Sequence, residues 1–181
     1  MKPYIYSEMM VHIPLCTHKD PENILIISSD AISLVNEIKK HNEMSVSVVE
    51  PNIDALRKCL DDSVDVIICE HSCDAAMFAH INRILKEDGL LVTKHPSLDD
   101  IDENKTLLSI LGNYFKIIMP YYISGDTTAL LASKNYHPTA DIILHRTDLL
   151  DNLDHYNCDI HPAAFAMGNK IRKEYLGLFK N

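Results

Sequence analysis

Glu50 follows an apolar run, Ser45 to Val49, and lies 22 residues after Ser28, which closes an earlier run (50 − 28). A carboxylate at the end of a second strand, roughly 20 residues beyond the first, is where nucleotide-binding α/β folds meet ribose hydroxyls. An exposed strand-end carboxylate without a ligand is the plainer alternative, and position alone leaves the two about even. Cys69, His71 and Cys73 alternate at two-residue spacing, so an extended segment would turn all three to one side, with His80 or His95 as a fourth metal ligand. No Cys-x-x-Cys or His-x-x-x-His pair accompanies them, and a buried strand accounts for Cys69, so no metal site is expected. Ser28-Ser29 lacks a Gly-x-Ser-x-Gly elbow and a paired base, which sets nucleophilic serine chemistry aside.

Strands and helices in alternation must carry these residues. Short apolar runs at Asn23 to Ile27, Ser45 to Val49, Val64 to Cys69 and Leu90 to Lys94 read as strands, the last entered through a turn at Gly89. Helix-period segments at Ala31 to His41, Ile53 to Leu60 and Asp74 to Leu85 lie between them. That alternation predicts βαβ units and a mainly parallel sheet. Ser97, with Asp100 three residues later, marks a capped helix running to Leu111. Phe115 to Tyr121 and Thr127 to Ser133 flank Ser124-Gly125 and predict an antiparallel hairpin that closes the sheet. Only some fifteen residues separate the second strand from the third, where a full nucleotide-binding fold has room for another strand and helix. The segment beyond Lys134 is polar, with one helix expected near Ile171 to Phe179.

The bulk numbers fit one domain over 1–181, with a lead-in helix and linker over 1–22 and a C-terminal extension over 135–181. Seventeen basic against 26 acidic residues give a net charge of −9. With no Lys/Arg cluster, a nucleic-acid partner is not expected. An odd count of five cysteines does not form a disulfide framework. No signal-like start and no membrane-length apolar run is visible, so a cytoplasmic location and no membrane partner are expected.

Four stretches, in order, resemble the spermidine synthase (polyamine aminopropyltransferase) family. YSEMMVHIPLCTH (Tyr6 to His18) is similar to its Tyr-x-Glu-Met, His-x-Pro-Leu and His motifs. ILIISSDAISLVNEIKKH stands in the place of its first strand, glycine loop and helix. PYYISGDTTALLASK (Pro120 to Lys134) is similar to its Pro-Thr-Tyr-Pro-Ser-Gly hairpin. YNCDIHPAAF (Tyr156 to Phe165) matches its terminal Tyr-Asn-x-x-Ile-His-x-Ala-Ala-Phe at seven positions in ten. The resemblance implies an α/β, Rossmann-like methyltransferase-type domain whose mainly parallel sheet ends in an antiparallel hairpin. It also implies a short, divergent member without the family's N-terminal β-domain. Surface left open that way predicts a homodimer, with Tyr4 to Leu15 as the contact.

By the same resemblance Glu50 is the ribose-binding acid and Glu70 stands for the catalytic aspartate, one methylene longer. The family's second aspartate falls on Cys73, with Asp74 beside it; Asp74 also suits a helix cap. Tyr6 and Tyr122 match tyrosines near the amine, and His12 matches a helix histidine, although local packing explains any one of these equally well. The glycine loop is replaced by Ser28, Ser29, Asp30, Ala31, Ile32 and Ser33. Side chains there take up the room that lets backbone approach a ligand. Asp30 is one position from the loop aspartate, and capping the following helix is its favoured role. Catalysis is thus expected from Glu70 and Tyr122, nucleoside binding from Ser28, Asp30 and Glu50, and substrate binding from Tyr6, His12 and Asp74. The implied co-substrate is decarboxylated S-adenosylmethionine, the acceptor is a diamine, putrescine, and no prosthetic group is involved. The open alternative is a non-catalytic descendant that binds a nucleoside or a protein.

Overall fold

The computed structural model describes residues 1–41 and 43–181. Helix α1 (Pro3–Thr17) leads into β1 (Asn23–Ile27), α2 (Ile32–Ile38), β2 (Ser45–Val49), α3 (Ile53–Arg57) and β3 (Val64–Cys69). Then come α4 (Ala75–Ile84), β4 (Leu85–Lys94), α5 (Ile101–Leu111), β5 (Ile117–Ser124) and β6 (Thr127–Ser133). Three short helices follow, α6 (Leu144–Asp148), α7 (Ile160–Ala164) and α8 (Asn169–Glu174). The six strands form one sheet in the order β2-β1-β3-β4-β6-β5. The first four are parallel and the last two antiparallel, as the alternation and the hairpin signal predict. The short passage between β2 and β3 holds only α3, so β2 is an edge strand with one partner.

Each central strand sends alternate side chains to opposite faces. Ile24, Ile26, Val66, Ile68, Leu90 and Val92 pack with α1, α2, Tyr121, Tyr156 and Phe165 on one face. Leu25, Ile27, Ile67, Cys69 and Leu91 pack with α3, α4, α5 and Tyr175 on the other. Continuous apolar runs are what a strand covered on both sides requires.

Helix α1 departs from its expected role. Met9, Met10, Val11, Ile13 and Leu15 are at most 1% exposed, because the segment from α6 to α7 lies over them. Met9 and Met10 fill core, as their type suggests. The helix therefore cannot supply the apolar dimer contact expected of Tyr4 to Leu15. Its covering is secured by Glu8, buried at 1% exposure. The Glu8 carboxylate accepts the backbone N–H groups of Asp154, His155 and Tyr156 at 3.0, 2.9 and 2.8 Å. The Tyr156 hydroxyl lies 2.6 Å from His161 Nδ1. The first and last of the recognised motifs are thus two halves of one packing device. At the end of α1 the Arg146 guanidinium donates to the carbonyls of Leu15, His18 and Lys19, groups that a helix end otherwise leaves unsatisfied.

Two local expectations are corrected. Strand β4 begins at Leu85, directly after α4, and the irregular pairing between Val64 and Val66 absorbs the extra residues around Gly89. The start of α5 has no side-chain cap from Ser97; buried Asn104 instead donates to the carbonyls of Pro96, Ser97 and Asp100.

Candidate functional site

Strands β2, β1 and β3 end in register, with Ile27 paired to both Val49 and Cys69. The next residue on each is Glu50, Ser28 and Glu70. The ladders continue one step further, from Ser28 N–H to the Val49 carbonyl at 3.1 Å and from Glu70 N–H to the Ile27 carbonyl at 3.0 Å. With strands about 4.8 Å apart, Glu50 and Glu70 have their backbones roughly 10 Å apart, with Ser28 between. This is the carboxyl end of the parallel strands, where open α/β sheets bind ligands.

The Ser28 hydroxyl donates to Glu70 Oε2 at 2.6 Å and accepts the Asp30 N–H at 3.1 Å. The serine that replaces a loop glycine therefore occupies the carboxylate it borders. Tyr6, on α1, turns its hydroxyl to the same carboxylate. That hydroxyl is buried and makes no hydrogen bond. Burial, and then the Glu70 charge beside it, hold its pKa well above the ordinary tyrosine value. Lys94 ends β4 one residue beyond Thr93, the partner of Cys69, and its Nζ stands 5.3 Å from the centre of the Tyr6 ring. Sequence reasoning passed over Lys94; its place at the end of the strand next to β3 was the available signal. Glu70, Tyr6 and Lys94 together make a negative, an aromatic and a positive group around one opening. A cationic ligand would find the first two there and would compete with the third.

The other expected residues fall differently. Glu50 and Asp30 are exposed, Glu50 beside the loop into α3 and Asp30 in the loop after β1. Asp30 does not cap α2; the residue at that position is Ala31, without a side-chain bond. Asp74 does cap α4, accepting the Met77 N–H at 2.8 Å. Tyr122 lies next to Tyr121, which pairs through Ala129 with the level of Lys94, so it stands at the carboxyl end of the sheet. Strand alternation turns it away from the α1 face that Tyr121 packs against. His12 is withdrawn from the substrate-binding set. It is fully buried, with Nδ1 2.9 Å from His41 Nε2 and Nε2 3.1 Å from Glu37 Oε2, so both ring nitrogens are engaged.

His71 is exposed and does not group with the two cysteines as ligands. Among the described residues one cluster could hold a cation, His18 with Asp65 and Asp88. It lies at the amino end of the strands, away from Glu70. Asp65 there already binds Lys86 at 2.7 Å and accepts two backbone N–H groups.

A six-stranded, mainly parallel sheet with helices on both faces and carboxylates at its carboxyl edge defines a Rossmann-like domain of the methyltransferase type. Residues 3–60 match the family model described as "Spermine/spermidine synthase domain". The polyamine aminopropyltransferase of Helicobacter acinonychis is 27% identical, over 94% of this chain and 76% of the relative. That of Methanocaldococcus jannaschii is 26% identical, over 94% and 75%. The crystal structure of spermidine synthase from Thermotoga maritima superposes with a TM-score of 0.84 at 25% identity, over 98% of this chain and 76% of that one. A phosphoethanolamine N-methyltransferase of Haemonchus contortus shares the fold alone, with a TM-score of 0.55 at 13% identity. The chain is thus similar to the spermine/spermidine synthase domain over residues 3–60 and to polyamine aminopropyltransferases over most of its length, in keeping with the resemblance of its motifs.

Proposed function

We propose that this protein is a slow aminopropyltransferase that moves the aminopropyl group of decarboxylated S-adenosylmethionine to putrescine. The observation behind this reading is the common register of β2, β1 and β3, which aligns Glu50, Ser28 and Glu70 along one ligand-binding edge. In this reaction the amine nitrogen bonds to the carbon next to the sulfonium as that carbon–sulfur bond breaks. Methylthioadenosine leaves uncharged, and the amine proton passes to a base. Glu70 is that base, with Tyr6 as the wall that positions the amine. Glu50 holds the ribose and the backbone of Ser28 and Asp30 borders the nucleoside, while Tyr122, turned to the opposite face of the sheet, is given no part in the transfer. Asp74 keeps its capping role and adds negative charge nearby. No prosthetic group takes part.

Turnover is slow for physical reasons. Glu70 carries its carboxylate about one methylene, roughly 1.5 Å, further out than an aspartate, a misplacement that can cost about 100-fold. Ser28 must release the carboxylate, and Lys94 must turn aside. The Ser28–Glu70 bond and Lys94 also favour a second reading, a non-catalytic nucleoside-binding protein.

Calorimetric titration with methylthioadenosine and decarboxylated S-adenosylmethionine, followed by mass-spectrometric detection of spermidine, separates the two readings. Binding with spermidine formation that Glu70→Gln abolishes supports the enzyme, with Glu50→Gln mainly weakening nucleoside binding. Binding without product supports the second reading, and no binding at millimolar ligand removes both. We also keep a cytoplasmic homodimer, whose contact lies outside α1, where exposed Ile32 and Val48 offer apolar surface. A monomeric mass by light scattering at high concentration would discard the dimer.

A further inference from the structure

The turn that carries Glu70 is bracketed by two thiols. Cys69 ends β3 and is fully buried, while Cys73 precedes the Asp74 cap of α4 and is half-exposed. Their sulfurs are 3.4 Å apart. The intervening turn curls so that both thiols point to one carbonyl, that of His71, at 3.4 Å from Cys69 Sγ and 3.6 Å from Cys73 Sγ. A disulfide needs its sulfurs at about 2.05 Å, so closure asks for a movement of little more than 1 Å. Cys73 has room for it, since it lines an open cleft with Ser72, Asp74, Lys94 and Pro96.

We propose that Cys69 and Cys73 are a redox-active dithiol that closes to a disulfide around Glu70 on meeting a disulfide of the glutathione type. The step balances as a two-stage exchange. The Cys73 thiolate attacks one sulfur of oxidised glutathione and releases one glutathione thiolate. Cys69 then attacks Cys73 Sγ, forming the internal bond and releasing the second. The two protons lost by the protein thiols go to the two glutathione thiolates, so the dithiol is oxidised by two electrons and one disulfide is reduced to two thiols. Geometry makes Cys73 the entry point, because Cys69 is sealed from so large a partner. Once Cys73 carries glutathione, Cys69 is the thiol beside the mixed disulfide, its sulfur 3.4 Å from Cys73 Sγ in the reduced protein, and so is the internal nucleophile. The remaining cysteines, Cys16, Cys59 and Cys158, have no such neighbour among the described residues. The dithiol is independent of the aminopropyl-transfer reading and stands or falls without it.

The test incubates reduced protein with oxidised glutathione, blocks remaining thiols with N-ethylmaleimide after unfolding, and maps the products by mass. The expected product has lost two of its five thiols together, with Cys69 and Cys73 joined and Cys59 alkylated on the same tryptic peptide. Cys69→Ser should stop at a glutathione adduct on Cys73, and Cys73→Ser should give neither adduct nor bond at Cys69. Because Cys69→Ser buries a hydroxyl and can impair folding, the exposed-side variant Cys73→Ser carries the test alone if needed. A wild-type protein that keeps all five thiols, or holds a lasting adduct on Cys73 while Cys69 stays free, overturns the proposal.

Discussion

Glu8 shows how much a single residue can hold in place. It accepts three backbone N–H groups from the far end of the chain, and it does so inside the core. Hydrogen bonds to a charged acceptor are worth about 1.5–3 kcal/mol each, and buried donors left without a partner add a desolvation cost. Glu8→Ala is therefore expected to destabilise by about 3–5 kcal/mol, read as the shift in urea midpoint, with Glu8→Gln milder because it keeps one acceptor oxygen. Midpoints equal to wild type in both variants would mean that the segment from Asp154 to Tyr156 holds itself. The buried histidines set a second expectation. Burial lowers the pKa of His41 to about 3 and that of His161 to about 4, from an ordinary 6.5. A base whose folded pKa is depressed is held neutral, so its stabilisation is full above about pH 6.5 and is lost as pH falls toward the folded values. The melting temperature should be level above neutrality and fall steadily from pH 6.5 to 4. A melting temperature that holds level to pH 4.5 would rule this out.

The elements were legible to very different degrees. The limits of β2, β3 and β6 match their β-branched and apolar segments, β3 because it is buried along most of its length and β2, an exposed edge strand, because Val and Ser suit a strand and the Pro51-Asn52 turn ends it. The helices α6 and α7 were not legible: each is five residues long and is fixed by what it packs against rather than by its own period. Site residues followed the same rule. Glu50 and Glu70 could be placed at strand ends because the strands are legible, whereas the burial of His12 could not be read because its partners, His41 and Glu37, come from another element. Gly89 is a further case. Its expected turn is a bulge inside β4, and a Cβ there would stand 2.9 Å from Leu85 Cδ2 and 3.1 Å from the Lys86 carbonyl oxygen. Gly89→Ala should destabilise by about 1–3 kcal/mol through overpacking, seen as a lower melting temperature. No change would mean that the bulge has slack that its contacts do not suggest.

At the scale of the whole molecule, the segment beyond Lys134 changes meaning most. As sequence it reads as a polar extension, yet its few large side chains complete both sides of the sheet. Tyr156, Ala164 and Phe165 join the core on the α1 face, and Tyr175 with Phe179 closes the other. The last residues also return to the sheet, where Lys180 exchanges two backbone hydrogen bonds with Ile118 at 2.7 and 3.0 Å. Two layers that share one terminal segment should unfold together. Removing 151–181 would uncover α1 and Tyr121 on one side and α5 on the other, and would strip Glu8 of all three backbone donors. Truncation is thus expected to abolish cooperative unfolding rather than lower its midpoint slightly. Urea titration followed by circular dichroism and by tyrosine fluorescence provides the check: full-length protein should give coincident sigmoidal curves, and protein ending at residue 150 a broad, non-coincident loss. A truncated chain with a sharp transition near the full-length midpoint would show that the sheet and its first six helices are self-sufficient.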